Sequence, residues 1–284
     1  MITNESAPVK DAPWRATLAA LFRRARPLVM GVLNVTPDSF SDGGRFFDPG
    51  SAIEQAHRMI AEGADLIDVG AESTRPYGGA TPVPADEELR RLEPVLPSVL
   101  SLGVPVSIDT MKAEVAAWAL DLGAAVVNDV WGLQRDPDMA RIVATGGAMA
   151  IIMHNRTQAD PAIDIMAEIE TFFRRSLEIA DTAGLGRDRI VLDPGIGFGK
   201  TAEQSIAVLA RLDRLSAFGL PLLVGASRKR FIDWVSPAEP QARLGGSIAA
   251  HLIATENGAA IIRTHDVAPT IQALRVAQAI RSRR

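Results

Sequence analysis

Cysteine does not occur in this chain of 284 residues. Its absence excludes disulfides, a thiol nucleophile and thiolate-held zinc or iron–sulfur centres, and it suits a reducing compartment. No run of about 18 apolar residues is present, so no membrane-crossing helix is expected. Surplus positive charge is missing as well. Thirty Lys and Arg stand against 34 Asp and Glu, a net charge of −4, which argues against a broad surface for nucleic acid. Low-complexity stretches and an interdomain linker are also lacking. The stretch 14–26 (WRATLAALFRRAR) is apolar and then Arg-rich. Glu5 and Asp11 precede it and no cleavage signal follows, so it reads as a helical extension in a cytoplasmic protein.

The chain is 47% hydrophobic, enough to fill a sizeable core. From residue 27 one rhythm repeats: a short aliphatic run ends in polar residues, and a longer stretch of helical pattern follows. The runs are 28–35, 66–70, 104–108, 125–130, 148–153, 190–192, 220–224 and 259–262. In 114–122 the residues Val115, Trp118, Ala119 and Leu122 share a helical face, and Ile165, Ile169, Phe172 and Phe173 do so later. Gly63, Gly103, Gly123, Gly184, Gly219 and Gly258 each sit where a helix should stop before the next strand. Eight such units predict a single-domain (β/α)8 TIM barrel over 27–284, after an N-terminal extension at 1–26. A doubly wound open sheet shares the alternation, but eight similar units fill the length without a second domain.

In such a barrel the chemistry lies at the C-terminal ends of the strands. Those ends are polar in all eight units: Asn34, Glu72, Asp109, Asn128 with Asp129, His154 with Asn155, Asp193, Ser227 to Lys229, and Arg263 to Asp266. Any one of them could cap a helix or form a turn. The full set is better explained by a mouth built for one small polar ligand. Strand alternation turns Asp109 inward if Val106 and Ile108 face the helices, and the same parity joins Asn128 to Val126 and Asp193 to Val191. With Lys229, these tips suit a flat nitrogen heterocycle, whose adjacent N–H and NH2 groups one carboxylate can accept together. The alternative is a buried network that satisfies only itself.

The cationic set is Arg75, Lys229, Arg263 and His265; Arg263 and His265 share one side of the last strand end, and barrels commonly dock phosphate in the loops after strands 7 and 8. A diphosphate often brings Mg2+, which takes oxygen ligands and keeps its waters, and Asn34 could offer one such oxygen. The run 195–200 (GIGFGK) has the spacing of neither a Walker A loop nor a dinucleotide fingerprint. Its glycines instead let a loop approach a ligand and set Phe198 against an aromatic ring. The loops after strands 1 and 2, rich in Gly, Ser, Thr and Pro, are expected to act as lids.

Seven motifs at these positions resemble the dihydropteroate synthase family. They are MGVLNVTPDSFSDGG at 30–44, DVGAESTRP at 68–76, SIDT at 107–110, NDV at 128–130, LDPGIGFGK at 192–200, GASRK at 225–229 and RTHDV at 263–267. The first is long and highly specific, and the likeness runs from about Pro27 to the last helix. It implies condensation of 6-hydroxymethyl-7,8-dihydropterin diphosphate with 4-aminobenzoate by dissociative substitution. It also implies that Asp109, Asn128, Asp193 and Lys229 bind the pterin, and that Asn34 meets a Mg2+–diphosphate gripped by Arg263 and His265. Thr74, Arg75, Phe198 and Ser227 would shape the aminobenzoate side, with Asp109, Lys229, Asp42 and Arg75 as the catalytic set. Relatives are homodimers, so a homodimer is expected, with the C-terminal helices as a plausible face. Arg230 departs from the pattern by following Lys229 where Ser is common; a backbone amide at the helix start is the remaining donor for the aminobenzoate carboxylate. A pterin-binding methyltransferase and a pterin binder without turnover are the competing readings. The diphosphate grip argues against the first and the complete loop motifs against the second.

Overall fold

The computed structural model describes residues 22–24, 26–36, 48–72 and 83–283. Eight parallel strands close into a barrel in chain order. They are β1 (Leu28–Asn34), β2 (Leu66–Gly70), β3 (Val106–Asp109), β4 (Val126–Asp129), β5 (Met149–Met153), β6 (Ile190–Asp193), β7 (Leu222–Val224) and β8 (Ala259–Thr264). Outside them run α1 (Pro49–Ala61), α2 (Ala85–Leu92), α3 (Leu96–Leu100), α4 (Ala113–Asp121), α5 (Met139–Thr145), α6 (Ile165–Thr182), α7 (Ala202–Ala210), α8 (Arg230–Val235), α9 (Leu244–Glu256) and α10 (Val267–Arg281). The (β/α)8 barrel expected from the rhythm is the one observed, and β1–β8 pairing closes the sheet that a doubly wound fold would leave open. The helical stretch expected over 14–26 lies mostly outside the described residues.

Strand alternation separates two cores. Val29, Ile67, Ile108, Val127, Ile152, Leu192 and Ile262 turn outward and pack against the helices. Leu28, Met30, Leu66, Val126, Ile151, Val191, Leu223 and Ile261 turn inward and fill the barrel floor. Phe22 packs on that floor, and Asp65 ties the incoming chain to it by accepting from Arg24, from Arg26 Nη1 at 2.6 Å and from the Val29 amide at 2.8 Å.

Helix starts follow local chemistry. The Asp48 carboxylate accepts from the Gly50 and Ser51 amides, Asp164 accepts from Met166 and Ala167, and Thr201 forms a reciprocal capping box with Gln204. The six glycines expected to end helices all have positive φ, from 66° at Gly219 to 110° at Gly123. Leu122 departs from the expected helical face: α4 stops at Asp121, and Leu122 is 42% exposed. Strand ends also differ from the aliphatic runs. Asp109, Asp193 and Thr264 are paired strand residues, because the ladder continues where hydrophobicity stops.

Candidate active site

Above the aliphatic floor the inward positions become polar. Asp68 on β2, Asp109 on β3, Asn128 on β4, Asp193 on β6 and Arg263 on β8 follow the parity of the floor residues below them. Register sets Asp109 beside Asn128 at the strand ends: Asn34 pairs with Gly70, Gly70 with Asp109, and Asp109 with Asn128. Gly70 makes room for the carboxylate beside it, since a Cβ there would lie 3.2 Å from Asp109 Cβ.

Arg263 ties the set together. Its Nε donates to Asp68 Oδ2 at 2.7 Å and its Nη2 to Asp109 Oδ2 at 2.9 Å. Asn128 Nδ2 donates to the same Asp68 oxygen at 3.0 Å. Two carboxylates therefore share one guanidinium away from bulk water. Burial, and then the neighbouring Asp68 charge, raise the Asp109 carboxyl well above its ordinary range, against the pull of Arg263. Asp68 Oδ1, Asp109 Oδ1 and Asn128 Oδ1 are buried and find no hydrogen-bond partner among the described residues. Each such atom costs about 1–3 kcal/mol, so the network is not one that satisfies only itself.

Asp109, Asn128 and Arg263 border a pocket that opens at this end of the barrel. Asp109, Asn128, Asp193, Lys229 and Arg263 line it, and Val130, Met153, Ile196 and Phe198 supply apolar walls. The Lys229 ammonium lies over the Phe198 ring, 4.1 Å from its centroid. Asp193 accepts from the Gly195 amide at 2.7 Å, yet burial still raises its carboxyl to about 6 against the opposing charges of Lys229, Arg263 and Lys200.

The turn carrying Phe198 is held from below. Gly195 has φ 66°, and a Cβ there would lie 2.0 Å from the His154 carbonyl oxygen, so only glycine allows β6 to leave across the end of β5. Lys200, 2% exposed, donates to the Gly195 carbonyl at 2.9 Å, the Phe198 carbonyl at 3.1 Å and His154 Nδ1 at 2.7 Å. Burial lowers His154 to about 2, helped by the charges of Lys200 and Arg156, so its ring is neutral and Nδ1 accepts. Burial also lowers Lys200, to about 7.

Several strand-end residues have local duties instead. Asp129 accepts from the Trp131 and Leu133 amides at 2.8 and 2.7 Å, and Asn155 accepts from the Arg156 amide at 2.8 Å. Both are turn formers. Ser227 Oγ lies 3.1 Å from His265 Nδ1, which joins the ends of β7 and β8. Asn34 is half-buried at the end of β1. The helix after Lys229 begins at Arg230. Asp42, Thr74, Arg75 and the expected lid loops fall outside the described residues. Asp109, Asn128, Asp193, Lys229, Arg263 and Phe198 are thus brought to one cavity, with Ser227 and His265 in contact beside it.

Sequence reasoning assigned no role to Asp68 or Lys200. Asp68 was legible as an acid inside an aliphatic strand with inward parity. Lys200 had no such signal, because its partners are backbone carbonyls on a turn whose path is set by tertiary contacts. Glu72, Lys112 and Glu88 form a further buried knot at the root of the loop after β2. Lys112 meets both carboxylates, and Glu72 also accepts from the Val83 amide at 3.2 Å.

The family profile described as pterin binding enzyme matches residues 30–265. The dihydropteroate synthase of Bacillus subtilis is 43% identical over 250 residues, covering 88% of this chain and 87% of that one. A probable bifunctional folylpolyglutamate synthase/dihydropteroate synthase of Haloferax volcanii is 43% identical over 277 residues; 95% of this chain matches 32% of that longer protein. The structure of Xanthomonas albilineans dihydropteroate synthase with 4-aminobenzoic acid superposes with a TM-score of 0.86 at 44% identity, covering 91% of this chain and 94% of that one. The chain belongs to the dihydropteroate synthase family of pterin-binding enzymes.

Proposed function

We infer that this chain condenses 6-hydroxymethyl-7,8-dihydropterin diphosphate with 4-aminobenzoate, forming 7,8-dihydropteroate and diphosphate for tetrahydrofolate synthesis. One observation carries the division of roles. Buried oxygens of Asp109 and Asn128, unpartnered among the described residues, converge with Asp193 and Lys229 on a single cavity faced by an aromatic ring. A pterin edge supplies the missing donors. Asp109 accepts its N–H and NH2 together, while Asn128, Asp193 and Lys229 meet the rest of the heterocycle. Two new donors favour the ionised form of Asp109 and so offset the rise caused by burial.

Beside that ring, His265 and Arg263 take the diphosphate, Arg263 with the Nη1 group that belongs to neither of its carboxylate pairs. Phe198 and Ser227, with Thr74 and Arg75 from the second loop, border the aminobenzoate. Among the described residues no group of three His, Asp or Glu could hold a metal ion. The single neutral oxygen of Asn34 fits a Mg2+ ligated otherwise by diphosphate and water. When bound, that ion neutralises charge on the leaving group.

The C–O bond to the diphosphate breaks and leaves positive charge on the pterin methylene. The Asp109 carboxylate stabilises that charge as it spreads into the ring, and the guanidinium and imidazole stabilise the departing oxygens. The aminobenzoate nitrogen then forms the new C–N bond and sheds its proton. No activated nucleophile is required. Asp42 and Arg75, on the two loops, complete the catalytic set by excluding water from the cation. α9 and α10 present Ile253, Val276 and Ile280 to the surface, about half exposed, and this supports a homodimer through the C-terminal helices. A cytoplasmic location completes the reading.

The test is diphosphate release. It should require both substrates and Mg2+, and methyl transfer from a methylated folate to a corrinoid protein should be absent. Diphosphate release with no 7,8-dihydropteroate formed in the presence of 4-aminobenzoate would overturn the reading.

A further inference from the structure

Between Ser227 and Lys229, Arg228 has φ 58°, one of two non-glycine residues with positive φ among the described residues. A left-handed backbone at a long side chain is strained and persists where the surroundings over-determine it. Those surroundings are visible. The Arg228 amide donates to Ser247 Oγ on α9 at 2.9 Å, and its carbonyl accepts from Arg243 Nη1 at 3.2 Å. Its guanidinium forms a two-pronged pair with Asp266, Nε to Oδ2 at 3.0 Å and Nη2 to Oδ1 at 2.5 Å. Asp266 is anchored in turn: its amide donates to Thr264 Oγ1 at 3.1 Å, and its carbonyl accepts from Thr270 Oγ1 at 2.7 Å.

The position of this pair gives it meaning. On one side Arg228 is flanked by Ser227 and Lys229. On the other, Asp266 follows His265. We propose that the Arg228–Asp266 pair is a clasp that holds the turn after β7 to the turn after β8, fixing the spacing between Lys229 and His265. Arg228 and Asp266 are thus positioning residues that touch no reacting atom. The inference rests on the reading in which Lys229 serves the pterin and His265 the diphosphate. The fork geometry suits the task, since a bidentate arginine–carboxylate pair sets direction as well as distance. A second tie, Ser227 to His265, spans the same gap without the fork.

The experiment compares Arg228→Ala, Arg228→Gly, Asp266→Asn and the double variant Arg228→Ala/Asp266→Asn. Glycine accepts the left-handed backbone but lacks the clasp, and asparagine keeps the side-chain size at the start of α10 while removing the charge. Each single variant should lower kcat/KM for the pterin diphosphate about 10- to 100-fold, as a misplacement of about 1 Å does. The double variant should lose no more than the worse single one. Assays run well below the lowest Tm keep misfolding out of the comparison. Wild-type kcat/KM in Arg228→Gly would overturn the clasp, by showing that only the backbone matters. A lowered Tm with unchanged kcat/KM in Asp266→Asn would overturn it equally. Binding of inorganic pyrophosphate separates the underlying reading: His265→Ala should weaken it at least tenfold. If it does not, the diphosphate assignment fails, while the turnover comparison still decides the clasp.

Discussion

Asp109 combines three roles: partner of Arg263, acceptor toward the cavity with one oxygen unpaired among the described residues, and acid lifted by burial and then by Asp68. Asp109→Asn keeps the shape but removes the charge that would stabilise a pterin cation, and turnover is expected to fall by about 10²–10³. Calorimetry showing unchanged affinity for a pterin diphosphate would count against that role. Asp193 titrates within the working range. With its carboxyl raised to about 6, it takes a proton as pH falls through that value and loses acceptor capacity. Hence Asp193 should contribute a step near pH 6 to the acid side of the kcat/KM profile, beside the limb set by the raised Asp109 carboxyl, and Asp193→Asn should remove that step. His251 on α9 is a different case: 1% exposed, with neither ring nitrogen hydrogen-bonded among the described residues, it is lowered by burial to about 4. The unfolded chain takes this proton from pH 6.5 downward while the folded chain does not, so stability is lost as pH falls from 6.5 to 4. At pH 5 the loss from this one group is about 2 kcal/mol. His251→Leu should remove it, so urea midpoints at pH 7 and pH 5 should lie closer together than in the wild type.

Turns, more than strands, carry the assembly. Strand positions such as Asp109, Asn128 and Asp193 were readable from alternation, because an acid or amide at every second position of an aliphatic run has only one interior to enter. The turn after β6 is another matter. Its glycines announced an unusual path, but not that Lys200 would pin that path from beneath. Lys200→Met would strand the carbonyls of Gly195 and Phe198 and leave His154 Nδ1 without its donor. At about 1–3 kcal/mol for each buried group left unpaired, the variant should be destabilised by at least about 2 kcal/mol. Because Phe198 rides on this turn, KM for both substrates should rise when turnover is assayed below the new Tm. Unchanged KM values would limit Lys200 to stability.

For the assembled molecule, closure of the barrel is what brings separate strand ends to one mouth. The outer helices leave Ile253 and Ile280 exposed on α9 and α10. Sedimentation should detect a dimer, and Ile253→Glu combined with Ile280→Glu should yield a monomer; a wild-type monomer would remove the proposed interface. Periodicity, helix-stopping glycines and seven ordered motifs were enough for the barrel, its strand order and the residues turned toward its axis. These follow from local rules, in which side chains alternate on strands and glycine alone relaxes readily into a left-handed turn. Partnership did not follow from such rules. That Arg263 would lie between Asp68 and Asp109, residues 195 and 154 positions away in the chain, depends on β8 closing against β1. Hydrogen bonds across a barrel are set by how the last strand meets the first, and no short window of the chain contains both ends of that contact.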